Sequence, residues 1–312
     1  MNILLTGGSG VIGKEFILRM ISNHKIIAIG KSFQNFPEFI RQHKNFKFYE
    51  FDLTSTENFQ IPDRIDTILH LAGIVSDSKK SSLEYREGNI LATQKILEIA
   101  KLHRVPNFIF ASSISVYGNS ELELKKETAS LSGNSDYAKS KIDAENLVLS
   151  YVLDFITIFR IASVFGKNTK GFISKLEKLW RKKILPIPNS SDAKNSFIHI
   201  QDLIAYLEIA CANKKTGIFN LAYPTGFSFS EIVNTLETKF PQKMIFKIKL
   251  NKFISIIVSM LNKILFQLKI VKNQNRLDIR PLNEFIQVDS SKAIKEFSYI
   301  PKISIDSNWR DI

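Results

Sequence analysis

Short apolar runs alternate with longer stretches whose apolar residues recur every three or four positions. Asn2–Thr6, Lys25–Ile29, Phe46–Phe51, Thr67–Leu71, Asn107–Ala111 and Phe155–Arg160 read as buried strands. Between them Val11–Ser22, Leu83–Leu102 and Tyr137–Tyr151 read as helices. Strands alternating with helices predict a parallel sheet covered on both faces. Right-handed crossovers then make the sheet doubly wound, with ligands at the carboxyl ends of its strands.

After about Gly166 the rhythm changes. Gly171–Lys183 reads as a helix that ends at a Pro186/Pro188 loop. Phe197–Ile200, Asp202–Ala212 and Gly217–Leu221 restore a strand-helix-strand pattern, and Ser228–Phe240 and Asn251–Val271 read as later helices. The expected fold class is therefore α/β, with a smaller carboxyl-terminal α+β substrate domain. We expect a nucleotide-binding unit over 1–166, to which 197–222 returns, and a second unit from 167–196 and 223–312. The 312-residue length suits that division.

Charge changes the picture in one place. The chain has 43 Lys+Arg against 30 Asp+Glu, a formal +13, yet Lys239–Arg276 alone holds nine basic residues and no acid. A basic arm spread over the whole sequence is excluded. Three readings of 239–276 stand side by side: a solvated helix face, a set of cations for a substrate diphosphate, and a basic amphipathic helix on an anionic membrane surface. No nucleic-acid-binding motif accompanies the segment, so a nucleic-acid partner is not expected.

The one cysteine, Cys211, excludes an internal disulfide and a cysteine-built zinc site, and suits a reducing compartment. No metal site is expected. The Met1–Thr6 start does not read as a secretion signal, and Phe253–Val271 is interrupted by Asn262, Lys263, Gln267 and Lys269, short of a membrane span. The expected location is cytoplasmic, with membrane association as the variant.

Thr6-Gly7-Gly8-Ser9-Gly10-Val11-Ile12-Gly13 joins the first strand to the first helix. Glycines there allow a tight turn, close approach of a pyrophosphate and close helix packing, while the helix start offers free N–H groups. The pattern predicts a Rossmann-type dinucleotide site including Gly7, Gly10, Val11, Ile12 and Gly13, against the plainer reading of a structural turn. The second strand ends Ile29-Gly30-Lys31-Ser32, with no acid to hold a ribose 2′-hydroxyl. Lys31 and Ser32 can accept the 2′-phosphate of NADP, so NADP is expected and NAD kept open. Asp52 and Leu53 are expected near the adenine, and Leu71, Ala72 and Gly73 against the cofactor. His70, on an apolar strand, reads as structural.

Tyr137 and Lys141 lie four residues apart, on one face of a helix. An ammonium beside a phenol favours phenolate and lowers its pKa, as proton exchange at a carbonyl requires. Ser112, Ser113 and Ser115 place hydroxyls at the carboxyl end of the fifth strand.

Together these residues resemble the extended short-chain dehydrogenase/reductase family, in particular its nucleotide-sugar epimerases, dehydratases and reductases. The resemblance runs nearly end to end. It takes in the glycine turn, Asp52-Leu53, His70–Gly73, Ser112–Gly118, Tyr137/Lys141, Arg160–Gly166, Phe197–Asp202, Phe219-Asn220-Leu221, Asp289–Lys292 and Tyr299-Ile300-Pro301. It implies a catalytic set of Ser113, Tyr137 and Lys141, with Tyr137 exchanging the proton of a sugar hydroxyl and Lys141 also holding the nicotinamide ribose. It implies a nucleotide-diphosphate sugar as partner, and a homodimer through the Leu83–Leu102 and Tyr137–Tyr151 helices.

Departures from the family pattern narrow the reaction. Its 4,6-dehydratases place Asp-Glu after the catalytic serine or threonine, where this chain has Ile114-Ser115. Its 4-epimerases carry an acid after the second strand and an Asn where this chain has Ser163. A diphosphate-gripping Arg falls at about Asn195, beside Lys194, with Arg276 or Arg280 as a second cation. Substrate contacts are thus expected from Ser113, Ser115, Ser163, Lys194 and Arg280. Lys194–Phe197 and Glu284–Asp289 look more like the reductases of 4-keto-6-deoxy nucleotide sugars, which serve bacterial polysaccharide synthesis. The alternatives are a 4-epimerase and a non-catalytic NADP-binding sensor.

Overall fold

The structure is a computed structural model that describes residues 1–57, 59–76, 80–119, 123–188, 192–242, 244–249 and 285–307. Its centre is a seven-stranded sheet of β1 (Asn2–Thr6), β2 (Lys25–Gly30), β3 (Phe46–Glu50), β4 (Thr67–His70), β5 (Asn107–Ser113), β7 (Phe155–Ile161) and β12 (Gly217–Leu221), all paired in parallel. The spatial order is β12-β7-β5-β4-β1-β2-β3. The order reverses between β1 and β4, and a crevice for ligands opens at such a switch point. This is the Rossmann-type architecture that the alternating runs predict.

Both faces of the sheet are buried, as the continuous apolar strands require. Ile3 and Leu5 face α1 (Val11–Met20) and α7 (Ile200–Ala212), packing with Phe16, Ile17 and Leu203. Leu4 and Ile68 face the other side, with Ile96 and Leu97 of α4 (Ala92–Leu102) and Ala144 of α5 (Asp136–Ser150). Ser135 caps α5 by accepting the Ala138 N–H at 3.1 Å. Between β2 and β3 lies the short α2 (Glu38–Arg41).

A third apolar cluster lies beside the sheet. It joins Phe165 of β8 (Ser163–Phe165), Ile173 and Trp180 of α6 (Phe172–Arg181), and Phe229 and Ile232 of α8 (Phe229–Lys239). Strand pairs frame it: β9 (Ile184–Ile187) with β14 (Phe246–Lys249), β10 (Lys194–Asn195) with β13 (Phe227–Ser228), and β8 with β11 (Phe197–His199). Late in the chain β15 (Gln287–Val288) pairs with β6 (Leu124–Lys125), and α9 (Ser291–Phe297) sets Phe297 against Phe159 and Phe219 of the sheet.

Two local readings are corrected. Leu83–Leu102 is not one α-helix: α3 (Ser82–Tyr85) passes through a π turn at Arg86–Leu91 before α4. The extra residue in that turn brings Asn89 inward, where its side chain bonds Ile74 and Ser140. The expected Pro186 loop is a strand paired with β14, and an edge position, which β9 has among the described residues, tolerates a proline. The helix expected over 251–271 lies outside the described residues.

Candidate active site

The glycine turn forms a cradle that side chains would fill. Gly7 has φ +70°, and a Cβ there would lie 2.7 Å from the Ala72 nitrogen; a Cβ on Gly13 would lie 2.4 Å from the Gly7 carbonyl oxygen. Gly10 stands at the N-cap of α1 and brings no side-chain cap, so the N–H groups of the first turn, at Val11 and Ile12, keep no side-chain acceptor. Such a turn, open at a helix start and closed to side chains, fits a dinucleotide pyrophosphate. Leu71 and Ala72 pass directly beneath Gly7, and Gly73 lies 3.5 Å, measured from its Cβ position, from the Lys141 ammonium.

The end of β5 is fastened to α5 by three successive residues. The Ala111 carbonyl accepts from Lys141 Nζ at 2.8 Å, the Ser112 hydroxyl donates to Glu145 Oε1 at 2.5 Å, and Ser113 hydrogen-bonds the Tyr137 phenol. Tyr137, Lys141 and Glu145 follow one another at four-residue spacing, so one face of α5 supplies all three partners. The Ser113 oxygen also accepts the Ser115 N–H at 3.2 Å, which starts the short turn Ile114–Tyr117. Thus Ser113, Tyr137 and Lys141, far apart in the chain, meet at one carboxyl strand end beside the glycine cradle.

The electrostatics differ from those expected of an adjacent Tyr–Lys pair. Burial raises the Tyr137 pKa above the ordinary phenol value, outweighing the opposing Ser113 hydrogen bond, and Tyr85 pushes in the same direction as burial. Lys141 directs its ammonium at the Ala111 carbonyl and over the Phe110 ring, at 4.9 Å, instead of lowering the phenol. Burial also brings the Lys141 pKa down to about 8, although Glu145 works against the shift.

Beneath the site the buried Glu145 carboxylate receives Arg160 Nη2 at 2.7 Å and Nε at 3.1 Å. Arg160 continues to the Tyr117 hydroxyl at 2.9 Å, which donates to Asn220 at 2.7 Å. His70 completes a second chain. Ala72 N–H donates to Thr6 Oγ1, Thr6 Oγ1 lies 2.6 Å from His70 Nδ1, and His70 Nε2 lies 3.0 Å from Thr93 Oγ1. Since the Thr93 hydrogen goes to the Asn89 carbonyl, Nε2 carries the imidazole proton and Nδ1 accepts. Burial, assisted by the Lys141 charge, lowers the His70 pKa to about 3. This histidine is a neutral brace, as the sequence suggests.

The remaining expected residues are dispersed. Lys31 Nζ lies 2.6 Å from Asp52 Oδ2, and the Asp52 Oδ1 accepts from Thr54, while Ser32 accepts the Gln34 N–H. Despite partial burial, the Lys31 and Thr54 bonds hold the Asp52 pKa below its ordinary value. Lys31 and Asp52 line a cavity of about 370 Å³ with Phe51 and Ser55, at the ends of β2 and β3 and not at the triad. Leu53 is buried. The Ser115 hydroxyl is buried with no hydrogen-bond partner. Ser163 opens β8 and Lys194 is exposed on β10, and no bond joins either to Tyr137. Arg276 and Arg280 lie outside the described residues. Among the described residues no His/Cys/Asp/Glu group suits a metal.

Sequence reasoning missed Asn89, Tyr85 and Glu145. Tyr85 sets its ring 5.9 Å from that of Tyr137. Glu145 was within reach, since it extends the Tyr137/Lys141 spacing by one more turn.

Comparison with known proteins gives these residues a context. The model of the NAD dependent epimerase/dehydratase family matches residues 3–222. A dTDP-D-glucose 4,6-dehydratase of Dictyostelium discoideum is 29% identical over 260 residues, 74% of this chain; the match spans only 59% of that relative's length. A UDP-glucose 4-epimerase of Yersinia enterocolitica is 25% identical over 277 residues, covering 76% of this chain and 82% of the relative. Among solved structures, a UDP-glucuronic acid 4-epimerase from Bacillus cereus in complex with NAD superposes with a TM-score of 0.74 at 22% identity, over 99% of this chain and 96% of that one.

Proposed function

The chain belongs to the NAD dependent epimerase/dehydratase family, and we propose that it reduces the 4-keto group of a nucleotide sugar. The substrate class is a 4-keto-6-deoxy-hexose on UDP or dTDP, made for bacterial surface polysaccharide. The reading rests on one observation: Ser113, Tyr137 and Lys141 are gathered at the end of β5, beside the glycine cradle. We assign the cofactor to 1–166 with 197–222 and the sugar to 167–196 and 223–312. NADP is the cofactor we favour, with Lys31 and Ser32 for its 2′-phosphate and Asp52 and Leu53 towards the adenine. A bound nicotinamide supplies the hydride.

The chain's own groups manage the proton and the charge. Tyr137, kept protonated by its burial, donates from its phenol to the ketone oxygen as negative charge develops there. The Ser113 hydroxyl donates to the same oxygen, and the Lys141 ammonium is assigned to hold the nicotinamide ribose. Ser115 offers an unspent hydroxyl to the sugar, with Ser163, Lys194 and Arg280 proposed for the rest of the substrate. Dehydration is disfavoured, because Ile114 and Ser115 stand where that chemistry needs two carboxylates. We further propose a cytoplasmic homodimer built on the α4 and α5 helices.

A second reading, 4-epimerisation, is favoured by the Yersinia enterocolitica relative, which covers most of both chains. The two separate in one assay: absorbance of reduced nicotinamide after adding a UDP- or dTDP-4-keto-6-deoxy sugar. Net oxidation supports the reductase, isomerisation without oxidation the epimerase, and cofactor binding without turnover on either substrate a sensor. Tyr137→Phe should lower turnover by about 10²–10⁴-fold while leaving cofactor affinity intact; retained turnover would remove Tyr137 from the mechanism.

A further inference from the structure

The end of α6 and the strand β14 build a cationic surface tipped with apolar side chains. Lys178, Arg181, Lys182 and Lys183 lie exposed on the last turn of α6 and just after it. Phe246 donates its N–H to the Lys183 carbonyl at 2.8 Å, and β14 continues in register with β9, so Phe246 and Lys247 stand beside those cations. Within 175–183 and 244–249 the one carboxylate is Glu177, which is buried and bonded to Arg181 at 2.8 Å. Met244 is 80% exposed and Phe246 71%, among the most exposed large apolar residues described.

Two features set this surface apart from an ordinary solvated face. Large apolar side chains normally leave water when packing allows, yet here they project where Ile245 and Ile248, from the same segment, enter the adjoining core. Lys183 adopts φ +60°, the left-handed conformation that glycine or asparagine takes most easily after a helix. The turn accepts that strain with a lysine on its outer side.

We propose that this surface docks the protein peripherally on an anionic lipid bilayer. Met244 and Phe246 enter the headgroup region, and the surrounding lysines and Arg181 lie against lipid phosphates. Neither signal suffices by itself, since a few cations are screened by salt and two apolar side chains bind weakly; together they anchor reversibly. A duplex nucleic acid would be met by the same cations, but its phosphate backbone gives no place to an exposed methionine beside a phenylalanine. No described helix is long and apolar enough to cross a membrane. The placement suits an enzyme whose product is consumed by membrane-bound glycosyl transfer, a point that rests on the function proposed above, whereas the docking itself does not.

The full-length chain is sedimented with phosphatidylcholine vesicles, with and without phosphatidylglycerol, at low and high salt. Binding should require phosphatidylglycerol and low salt. Lys182→Gln and Lys247→Gln should each weaken it by about fivefold, and Phe246→Ser should weaken it further while its circular dichroism stays that of the parent chain. In Phe246→Trp, indole emission should be red-shifted in buffer and move to the blue with anionic vesicles. Lack of binding at low salt, equal binding to neutral vesicles, or equal binding to duplex DNA overturns the proposal. Indole emission already blue and unmoved by vesicles also overturns it, because Phe246 is then covered by this chain or a second copy.

Discussion

Glu145 and Arg160 form a two-pronged ion pair beneath the end of β5, with Arg160 Nη2 2.7 Å from Glu145 Oε2 and both side chains almost wholly buried. The carboxylate also takes the Ser112 hydroxyl, so it ties the strand that carries Ser113 to the helix that carries Tyr137 and Lys141. Removing one partner strands a buried charge. Glu145→Ala should therefore cost about 3–5 kcal/mol in denaturant unfolding. Glu145→Leu combined with Arg160→Met should recover much of that loss, because an apolar pair leaves no charge behind. A double variant as unstable as the single one would show that shape, not charge, sets the cost.

The acidity of Lys141 leads to a pH profile. Burial lowers its pKa to about 8, so the ammonium is present below that pH and lost above it. Tyr137 shifts upward and remains a proton donor throughout neutral pH. In the direction of ketone reduction, kcat/KM should be level through neutral pH and fall above about pH 8, tracking the free enzyme. A profile level to pH 10 would mean that the ammonium is not required.

On the proposed NADP reading, cofactor choice would turn on Lys31, whose ammonium already lies 2.6 Å from Asp52. Lys31→Asp replaces attraction by repulsion for that phosphate and supplies an acceptor for a ribose hydroxyl. The ratio of kcat/KM for NADPH over NADH should fall by on the order of ten- to a hundredfold. Asp52→Asn frees Lys31 and should raise the same ratio. If both variants leave it unchanged, the 2′ position is read elsewhere.

How far the sequence announced all this depends on the range of each interaction. The sheet strands were legible because burial on both faces makes them continuous apolar runs, as in Ile3–Leu5 and Ile26–Ile29. Gly7 and Gly13 were legible because a Cβ at either site meets backbone. Tyr137 and Lys141 declare themselves by spacing within one helix. Asn89 was hidden, because its inward position depends on a π turn that no local propensity demands. The joining of Ser112 to Glu145, and of Tyr117 to Arg160 and Asn220, arises only when β5, α5, β7 and β12 assemble. The proline strand β9 was misread because its partner β14 lies some sixty residues later in the chain.

His70 links folding to acidity. Its pKa is 6.5 in an unfolded chain and about 3 in the fold, where burial leads the shift and the Lys141 charge adds to it. The unfolded state therefore binds a proton that the folded state refuses, throughout the interval between those values. The stability owed to the neutral imidazole is complete above about pH 6.5. It is lost as pH falls towards 3, at up to about 1.4 kcal/mol per pH unit. His70→Gln should be less stable at pH 7, since the bonds to Thr6 and Thr93 are disturbed, yet lose less on acidification. Unfolding free energies measured at intervals from pH 7 to pH 4.5 should give converging lines for the two proteins. Parallel lines would mean that His70 takes up its proton in the fold as readily as in the unfolded chain.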